Sequence, residues 1–519
     1  MPKNKGKEAI TSETTFIIVG AGPSGLFSAR ALKKLGVPTQ NITILEQQPW
    51  VGGKCHTYTD PDNPDLTTEF GAELIAHNYG VVLDAIQEKG VQLEEVLPTK
   101  INSINFMKQF YEKDKLGKLT FSAQFAQELI SYEAALRNYE YIRDNQLPLP
   151  KEYELPFAEF AKLKGLTKLN DLLRPLVTGF GYGAMQVCPT FAIFEYLGHT
   201  TIPAMQMIPT LLSEGPFYGI KGGFQRLMEA VAADFNVLTS VEIFSIDRTD
   251  GICVSFLQQG EKIQLKADYL ILALSPLHWK KLGLNLSETE KACTENLSYY
   301  RYNVAVCHLK GYPPQQEFFE HGLQPQGFGD LALITSRDAR PDPEEGRLCS
   351  VYINLPPGEN NYHLELGAPE CQKLESELTQ VEGVTEAKII KIKTWEDYLS
   401  LVPWKLRRQL HAEQFTSDLH TGYVNSCLSF EDVACVANFA TDLIAKQFAL
   451  NPKQIYDVSL GTEIRRMWTL FAAKKNKPVS TDQKITFDSP KETEQEIILA
   501  SQEEVGNDIS YSFPRAPYG

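Results

Sequence analysis

Three hydrophobic patterns alternate along the chain. The first is a short run with no polar break. Phe16-Ile17-Ile18-Val19 is one, Ile42 to Leu45 a second, and Ala267 to Leu274 a third with only Asp268 interrupting it. Such runs suit strands covered on both faces. The second pattern has helical spacing. Leu26, Ala29, Leu32 and Leu35 lie on one face and Gly36 stops the pattern, and Val433, Val436, Phe439 and Leu443 repeat it near residue 440. The third fills the region from about Leu97 to Pro216. Phe121, Phe125, Leu129, Tyr132, Leu136 and Tyr139 predict one long amphipathic helix, broken by Pro148-Leu149-Pro150. Leu155-Pro156-Phe157-Ala158-Glu159-Phe160 starts another, with Pro156 suited to its first turn. A helical stretch through Leu169, Leu172, Leu173 and Leu176 runs into the loop Gly179-Phe180-Gly181-Tyr182-Gly183. Strand-like stretches then recur at Asn303 to Leu309, Leu331 to Ser336 and Leu348 to Leu355, as in a sheet flooring a cavity. The pattern is that of an α/β chain with a second, α+β region inserted into it.

The first strand runs into Gly20-Ala21-Gly22-Pro23-Ser24-Gly25, and the second ends in Glu46, 21 residues past Gly25. That is the strand, turn, helix and acid that a dinucleotide fold requires. Gly20 permits the tight turn, Gly22 lets the backbone approach a pyrophosphate, and Gly25 lets the helix pack on the strand. The helix N-terminus faces the phosphates, and Glu46 accepts the ribose hydroxyls. No second unit of this kind follows, so a nicotinamide site is not expected.

Composition narrows the setting. At roughly 150 residues per domain, 519 residues suggest about three domains. Fifty Lys and Arg against 65 Asp and Glu give a net charge of -15, which argues against a nucleic-acid partner. No apolar run reaches the roughly 18 to 20 residues of a membrane span, and Met1 to Thr15 is polar, without a secretory core. The 9 cysteines include no C-x-x-C pair, so no zinc site or other metal site is expected and a reduced, cytoplasmic setting fits.

A second glycine pair, Val51-Gly52-Gly53-Lys54-Cys55-His56, follows the acid, and Glu69-Phe70-Gly71-Ala72 comes later. It resembles the flavin disulfide-reductase and amine-oxidase superfamily, which implies FAD. The stretch from Gly219 to Leu227 resembles the superfamily's central G-G-x-x-x-L motif. Asn236 to Ser245 reads as one strand, with Val241 where these proteins touch the adenine through backbone atoms. Leu428-Ser429-Phe430-Glu431-Asp432-Val433 opens the last helix, Ser429 and Asp432 resembling a capping box. The superfamily turns that helix end toward the flavin N1/O2 edge. The implied cofactor residues are Gly20, Gly22, Ser24, Gly25, Glu46, Gln47, Gly53, Lys54, Val241, Ser426, Ser429 and Phe430. In this reading Lys54 is a point charge for the phosphates, and His56 stands either near the flavin or as a plain structural histidine.

The shared order of these motifs with Leu155-Pro156-Phe157-x-x-Phe160 and the glycine loop 179–183, over residues 14 to 450, is more specific. It resembles the FAD-dependent polyunsaturated fatty acid double-bond isomerases. The resemblance implies a hydride shuttled through flavin N5 to give a conjugated diene, with no catalytic protein residue. Phe180, Tyr182 and Met205 are implied in the substrate pocket, and Lys100 either meets the carboxylate or is a surface lysine. Two departures stand out. Asn425-Ser426 replaces a Gly-Glu or Gly-Asp pair beside the ribityl chain, where Ser426 is the weaker ligand. The strand Tyr302 to Val306 lacks the lysine expected of an amine oxidase.

The expected architecture is a Rossmann-like FAD domain (residues 14–97, 217–290 and 417–450) interleaved with a substrate domain (98–216 and 291–416). Residues 451–519 form a helical extension and polar tail. Its basic amphipathic stretch 464–477 is a candidate for peripheral membrane contact, or packs on the body of the protein. Besides a lipid substrate, no protein partner is implied. The rival readings are a flavin oxidase or desaturase of another apolar or amine substrate, and a GDI-like binder of lipidated partners without catalysis.

Overall fold

The computed structural model describes residues 10–76, 79–97, 99–101, 111–113, 119–198, 217–355 and 364–458. Two sheets organise the chain, and each is covered on both faces.

The first sheet has five parallel strands in the order Asn236–Leu238, Ile42–Leu45, Phe16–Val19, Tyr269–Leu272, Thr421–Tyr423. Side chains alternate along a strand, so the unbroken run Phe16–Val19 feeds two cores. Phe16 and Ile18 join Leu26, Phe27 and Leu32 of the helix Pro23–Lys34 and Ala437, Ala440 and Ile444 of the helix Val433–Phe448. Ile17 and Val19 face Val254 and Phe256 of an antiparallel meander, Val241–Asp247, Ile252–Gln258 and Glu261–Ala267. That two-sided burial is why no polar residue interrupts the run.

One expectation is corrected here. The stretch from Asn236 to Ser245 is not a single strand. Asn236–Leu238 closes the parallel sheet and Val241–Asp247 starts the meander. Between them Ser240 takes φ 56, and its N–H donates to the Gln48 carbonyl at 3.0 Å, so the chain turns out of one sheet into the other.

The second sheet has six strands in the order Glu386–Leu401, Ser298–Lys310, Arg347–Asn354, Leu333–Ser336, Gln316–Phe318, Thr99–Ile101. Its pairings are antiparallel except the last, which is parallel. Val304 and Val306 face a helical layer, while Ala305 and Cys307 face Leu374 and Leu378 of the helix Pro369–Leu378. The helical layer contains Ala123–Asp144, Phe157–Lys164, Thr167–Thr178 and Thr190–Tyr196. The long helix begins two residues later than its apolar stripe. Phe121 ends the strand Leu119–Phe121, and Ser122 caps the helix by accepting from the Phe125 N–H at 3.3 Å.

All nine cysteines are free. Among the described residues no helix is long and apolar enough to cross a membrane, and no His, Cys, Asp and Glu group could hold a metal. Met205 and the stretch 464–477 lie outside the described residues.

Candidate functional site

Every parallel strand of the first sheet points its C-terminal end to one edge, and four loops meet there. The first strand turns at Gly20, φ 106, so tightly that a Cβ on Gly25 would lie 2.0 Å from the Gly20 carbonyl oxygen. The helix Pro23–Lys34 therefore starts directly over the turn. It has no side-chain cap and no acid in its first turn, which leaves its N–H groups and positive end for an anion. Gly52 and Gly53, at φ 118 and 57, bring a second loop onto it, with the Gly52 N–H donating to Ala21 O at 2.9 Å. A Cβ on Gly53 would come within 3.1 Å of Gly22 Cα, so the two turns touch backbone to backbone. Glu46 is buried beside them and accepts from the N–H groups of Ala21 at 2.7 Å and Gln48 at 2.8 Å. Burial raises its carboxyl despite these donors. Ser24 is buried, Gln47 is exposed, and the Val241 N–H donates to the Glu46 carbonyl at 3.1 Å.

The opposite end of the edge is set by the loop after Thr421–Tyr423 and by the helix Val433–Phe448. Asn425 is 2% exposed, and neither its amide nitrogen nor its oxygen has a partner. Ser426 is hydrogen-bonded to Glu431, whose Oε2 is buried and unpartnered. Lys54 does not point at the phosphate turn as expected. Its ammonium lies 3.0 Å from Glu431 and donates to the carbonyls of Asp397 at 2.7 Å and Tyr398 at 3.1 Å. The Gly53 turn carries it beneath the last helix. Burial works against its charge, but Glu431 and Asp397 prevail and hold the ammonium above its ordinary range.

The capping box expected from Ser429 and Asp432 is also corrected. Asp432 is itself the cap, accepting from Ala434 N at 2.8 Å and Cys435 N at 3.1 Å, and the Tyr79 hydroxyl donates to its other oxygen. The Ser429 hydroxyl instead reaches the Phe430 carbonyl at 3.4 Å. A serine three residues ahead is too far along a non-helical segment to meet those N–H groups.

Phe430 opens an aromatic wall. It stacks on Tyr196 at 4.8 Å and 11° and meets Tyr182 edge-on at 4.8 Å. Tyr182 stacks on Tyr398 at 5.8 Å, and Tyr398 contacts Tyr302 at 4.8 Å. The glycine loop reaches this wall because Gly181, φ 81, lies flat on the Tyr302 ring, where a Cβ would come within 2.6 Å. The Tyr302 hydroxyl ties down the loop by donating to Gly179 O at 2.5 Å. Burial lifts the phenols of Tyr182, Tyr196, Tyr302 and Tyr398 far above the tyrosine range, so all four stay neutral. Phe180 turns away from the wall and packs on Phe318 at 5.9 Å.

Residues 23–409 match the family model described as flavin containing amine oxidoreductase. The chain belongs to this family. It is 24% identical over 327 residues to the FAD-dependent oxidoreductase dpchF of Colletotrichum higginsianum, covering 57% of this chain and 63% of that relative. Less than two thirds of the relative's length is therefore spanned. Among solved structures, the CLA-producing fatty acid isomerase from P. acnes superposes with a TM-score of 0.65 at 21% identity, over 84% of this chain and 99% of that one. Putrescine oxidase bound to putrescine gives a TM-score of 0.58 at 14% identity, over 83% and 98%. At those identities the likeness is one of fold.

The flavoprotein is a flavin-dependent enzyme and its cofactor is FAD. The site fits that group. The uncapped helix end and the touching glycine turns suit the pyrophosphate, and Glu46 suits the ribose. Asn425 supplies a buried donor and a buried acceptor with nothing else to bind. The carboxylate that the resemblance implies at position 426 is absent, but Glu431, held by Ser426, brings one to the same neighbourhood. When bound, FAD supplies reversible acceptance of a hydride. The chain's part is to bind, to orient the substrate and to keep water away.

The sequence-derived positions thus separate. Gly20, Gly22, Gly25, Glu46 and Gly53 gather at one end, and Ser426, Ser429, Phe430 and Tyr182 at the other. The backbone of Lys100 lies on the outer strand Thr99–Ile101, at the sheet edge opposite the strand of Tyr398. Its side chain is outside the described residues. Sequence reasoning missed Asn425, Glu431, Tyr196 and Tyr398. Tyr398 carried a signal, because Trp395 and Tyr398 are aromatic positions on one strand just before the last FAD segment.

Proposed function

We propose that this flavoprotein is a double-bond isomerase of polyunsaturated fatty acids. The observation that carries the reading is the aromatic wall, whose four phenols are neutral and whose flanking carboxylates Glu195, Asp432 and Glu431 each hold a donor of the chain's own. Glu195 accepts from the Tyr139 hydroxyl at 2.5 Å and from Arg407 at 3.2 Å, with Arg143 at 3.5 Å. Asp432 caps its helix, and Glu431 is held by Lys54. The phenols stay neutral. The rings of the wall therefore offer no base for a polar substrate. It does offer ring faces, which are apolar toward a hydrocarbon chain and attractive toward positive charge.

An isomerisation fits those means. The hydride lost from the doubly allylic methylene returns to a terminal carbon of the same five-carbon system, so atoms and electrons balance without a co-reactant. In between, that system carries positive charge, and the faces of Tyr182, Tyr196 and Phe430 stabilise it. The strand Tyr302–Val306, interior to the sheet and fully buried, carries no lysine, and the Lys54 ammonium 5.9 Å over the Tyr398 ring is held by Glu431, which disfavours amine oxidation. The fold likeness to the P. acnes isomerase supports the same reading.

A second reading, net oxidation of another apolar substrate, is favoured by the relative named an FAD-dependent oxidoreductase. Anaerobic incubation of the yellow protein with linoleic acid separates the two. Isomerase activity yields conjugated-diene absorbance in the ultraviolet without oxygen uptake. No diene, with or without oxygen, overturns the proposal, and oxygen consumed in step with turnover supports the oxidase.

A further inference from the structure

One face of the strand Glu386–Leu401 carries side chains that the cofactor site does not use. Lys391, Lys393 and Trp395 alternate along it and so project to the same side. The Lys391 ammonium sits 5.8 Å over the rings of both Tyr58 and Phe70, and Lys393 sits 4.7 Å over Trp395. Trp395 Nε1 donates to the Phe70 carbonyl at 2.5 Å. Phe70 stacks on His56 at 5.5 Å, and His56 meets Trp50 at 4.8 Å. Two cations therefore ride on an aromatic strip that starts beside the Gly52-Gly53 turn.

Neither cation has an acidic partner among the described residues, although acids outnumber bases 65 to 50 in the chain. Asp60 and Asp62 lie close enough to Tyr58 to act on its phenol. Asp60 is occupied by the N–H groups of Asp62 and Asn63 and lies 3.5 Å from His308. Lys393 is half-buried, and burial together with Lys391 lowers its pKa. Burial, then Lys393 and Lys391, push His56 down to about 4, so it is neutral, and its Nδ1 is buried without a partner. Like charges crowded over ring faces favour an anion between them.

We infer that Lys391 and Lys393 form the subsite for the substrate carboxylate, with the aromatic strip carrying the first part of its chain. The inference rests on the fatty-acid reading above. Spacing supports it. Lys393 pairs with Val304, and Leu399, next to Tyr398, pairs with Tyr300. Four residues of the partner strand separate these pairs, about 13 Å at about 3.3 Å per residue. An extended hydrocarbon with bonds of ~1.5 Å advances ~1.25 Å per carbon, so roughly its tenth carbon reaches Tyr398. That is mid-chain, where linoleic acid has its doubly allylic methylene. Lys100, which the resemblance offers either for the carboxylate or as a surface lysine, has its backbone on the far edge of the same sheet.

The test is equilibrium binding of linoleic acid and methyl linoleate to the FAD-loaded protein, followed by flavin absorbance and tryptophan fluorescence. Wild type is expected to prefer the acid. Lys391→Gln/Lys393→Gln should bind the acid about tenfold more weakly and the ester nearly as before, with retained FAD as the check on folding. Lys391→Arg/Lys393→Arg should keep the preference. A double glutamine variant that still prefers the acid, or a wild type that binds both lipids equally, overturns the subsite. Failure of wild type to bind either lipid overturns the fatty-acid reading and the subsite with it. Binding as expected but without diene formation removes the isomerase reading and leaves the subsite standing.

Discussion

Lys54 gives the most direct test of how the cofactor edge is held together. Lys54→Met keeps most of the side chain's volume and removes its charge. In the folded protein the ammonium lies 3.0 Å from Glu431 and donates to the carbonyls of Asp397 and Tyr398. The two side chains are only 24% and 12% exposed, so solvent screening is weak. Removing one partner of a buried pair leaves the other charge unpaired, typically at about 3–5 kcal/mol. With roughly 2.1 cal/mol/K of unfolding entropy per residue, the compact unit Met1–Met467 loses about 1 °C per kcal/mol. A fall in Tm of about 3–5 °C is expected near pH 8 at fixed FAD concentration. The pH dependence is the sharper signature. Burial already raises the Glu431 carboxyl against the pull of Lys54, and losing that pull raises it further. A folded pKa above the unfolded value contributes stability at low pH that is lost as pH rises through it. The deficit of Lys54→Met should therefore shrink as pH falls. Lys54→Met/Glu431→Gln should recover most of it at every pH. A deficit below about 1 kcal/mol near pH 8, or one independent of pH, would show that the pair does not act as a buried unit.

Three further outcomes can be measured, two at the same edge and one at Glu69. Gly25→Ala should yield colourless or insoluble protein, because its Cβ would lie 2.0 Å from Gly20 O; a normal ratio of flavin to protein absorbance would refute that. Asn425→Leu removes a buried donor and acceptor worth ~1 kcal/mol or more each, so FAD should be held roughly 10–100-fold more weakly, as titration of apoprotein would measure. Glu69 is fully buried, and its carboxyl is pushed up to about 7 by burial, with Arg337 at 3.1 Å opposing. Its contribution is present at low pH and lost as pH rises from about 4.5 through 7, so Glu69→Gln should flatten the Tm profile across that window. An unchanged slope would sink the assignment.

The FAD half was legible because its strands are buried on both faces, and continuous apolar runs such as Phe16–Val19 have little other use. Where reading failed, the deciding quantity was local and absent from the pattern. Ser240 at φ 56 divides a run that is uniformly strand-like in sequence. Asp432 takes the capping role because the helix starts at Val433, and a shift of that start reassigns every nearby polar residue. Asn425 read as a departure from the family, and its value emerges only from burial with both amide atoms unpaired. Lys391, Lys393 and Trp395 did leave a trace. Their period of two on a strand puts cations and a ring on one face, but only the packing of Phe70 and Tyr58 against them makes that face a strip.

Those local details bear on the direction of the chemistry. The resemblance turns the N-terminus of Val433–Phe448 toward the flavin, where a helix dipole would favour negative charge. Here the first N–H groups belong to the Asp432 carboxylate, and the nearby cation Lys54 is matched by Glu431. Little uncompensated positive charge is left at this end of the site. An enzyme that must hold the electrons until an external acceptor arrives gains from such charge, whereas one that returns the hydride at once does not need it. On that argument the carboxylates at 431 and 432 belong with the neutral aromatic wall. Both fit the proposed short-lived exchange with an apolar substrate better than storage of reducing equivalents.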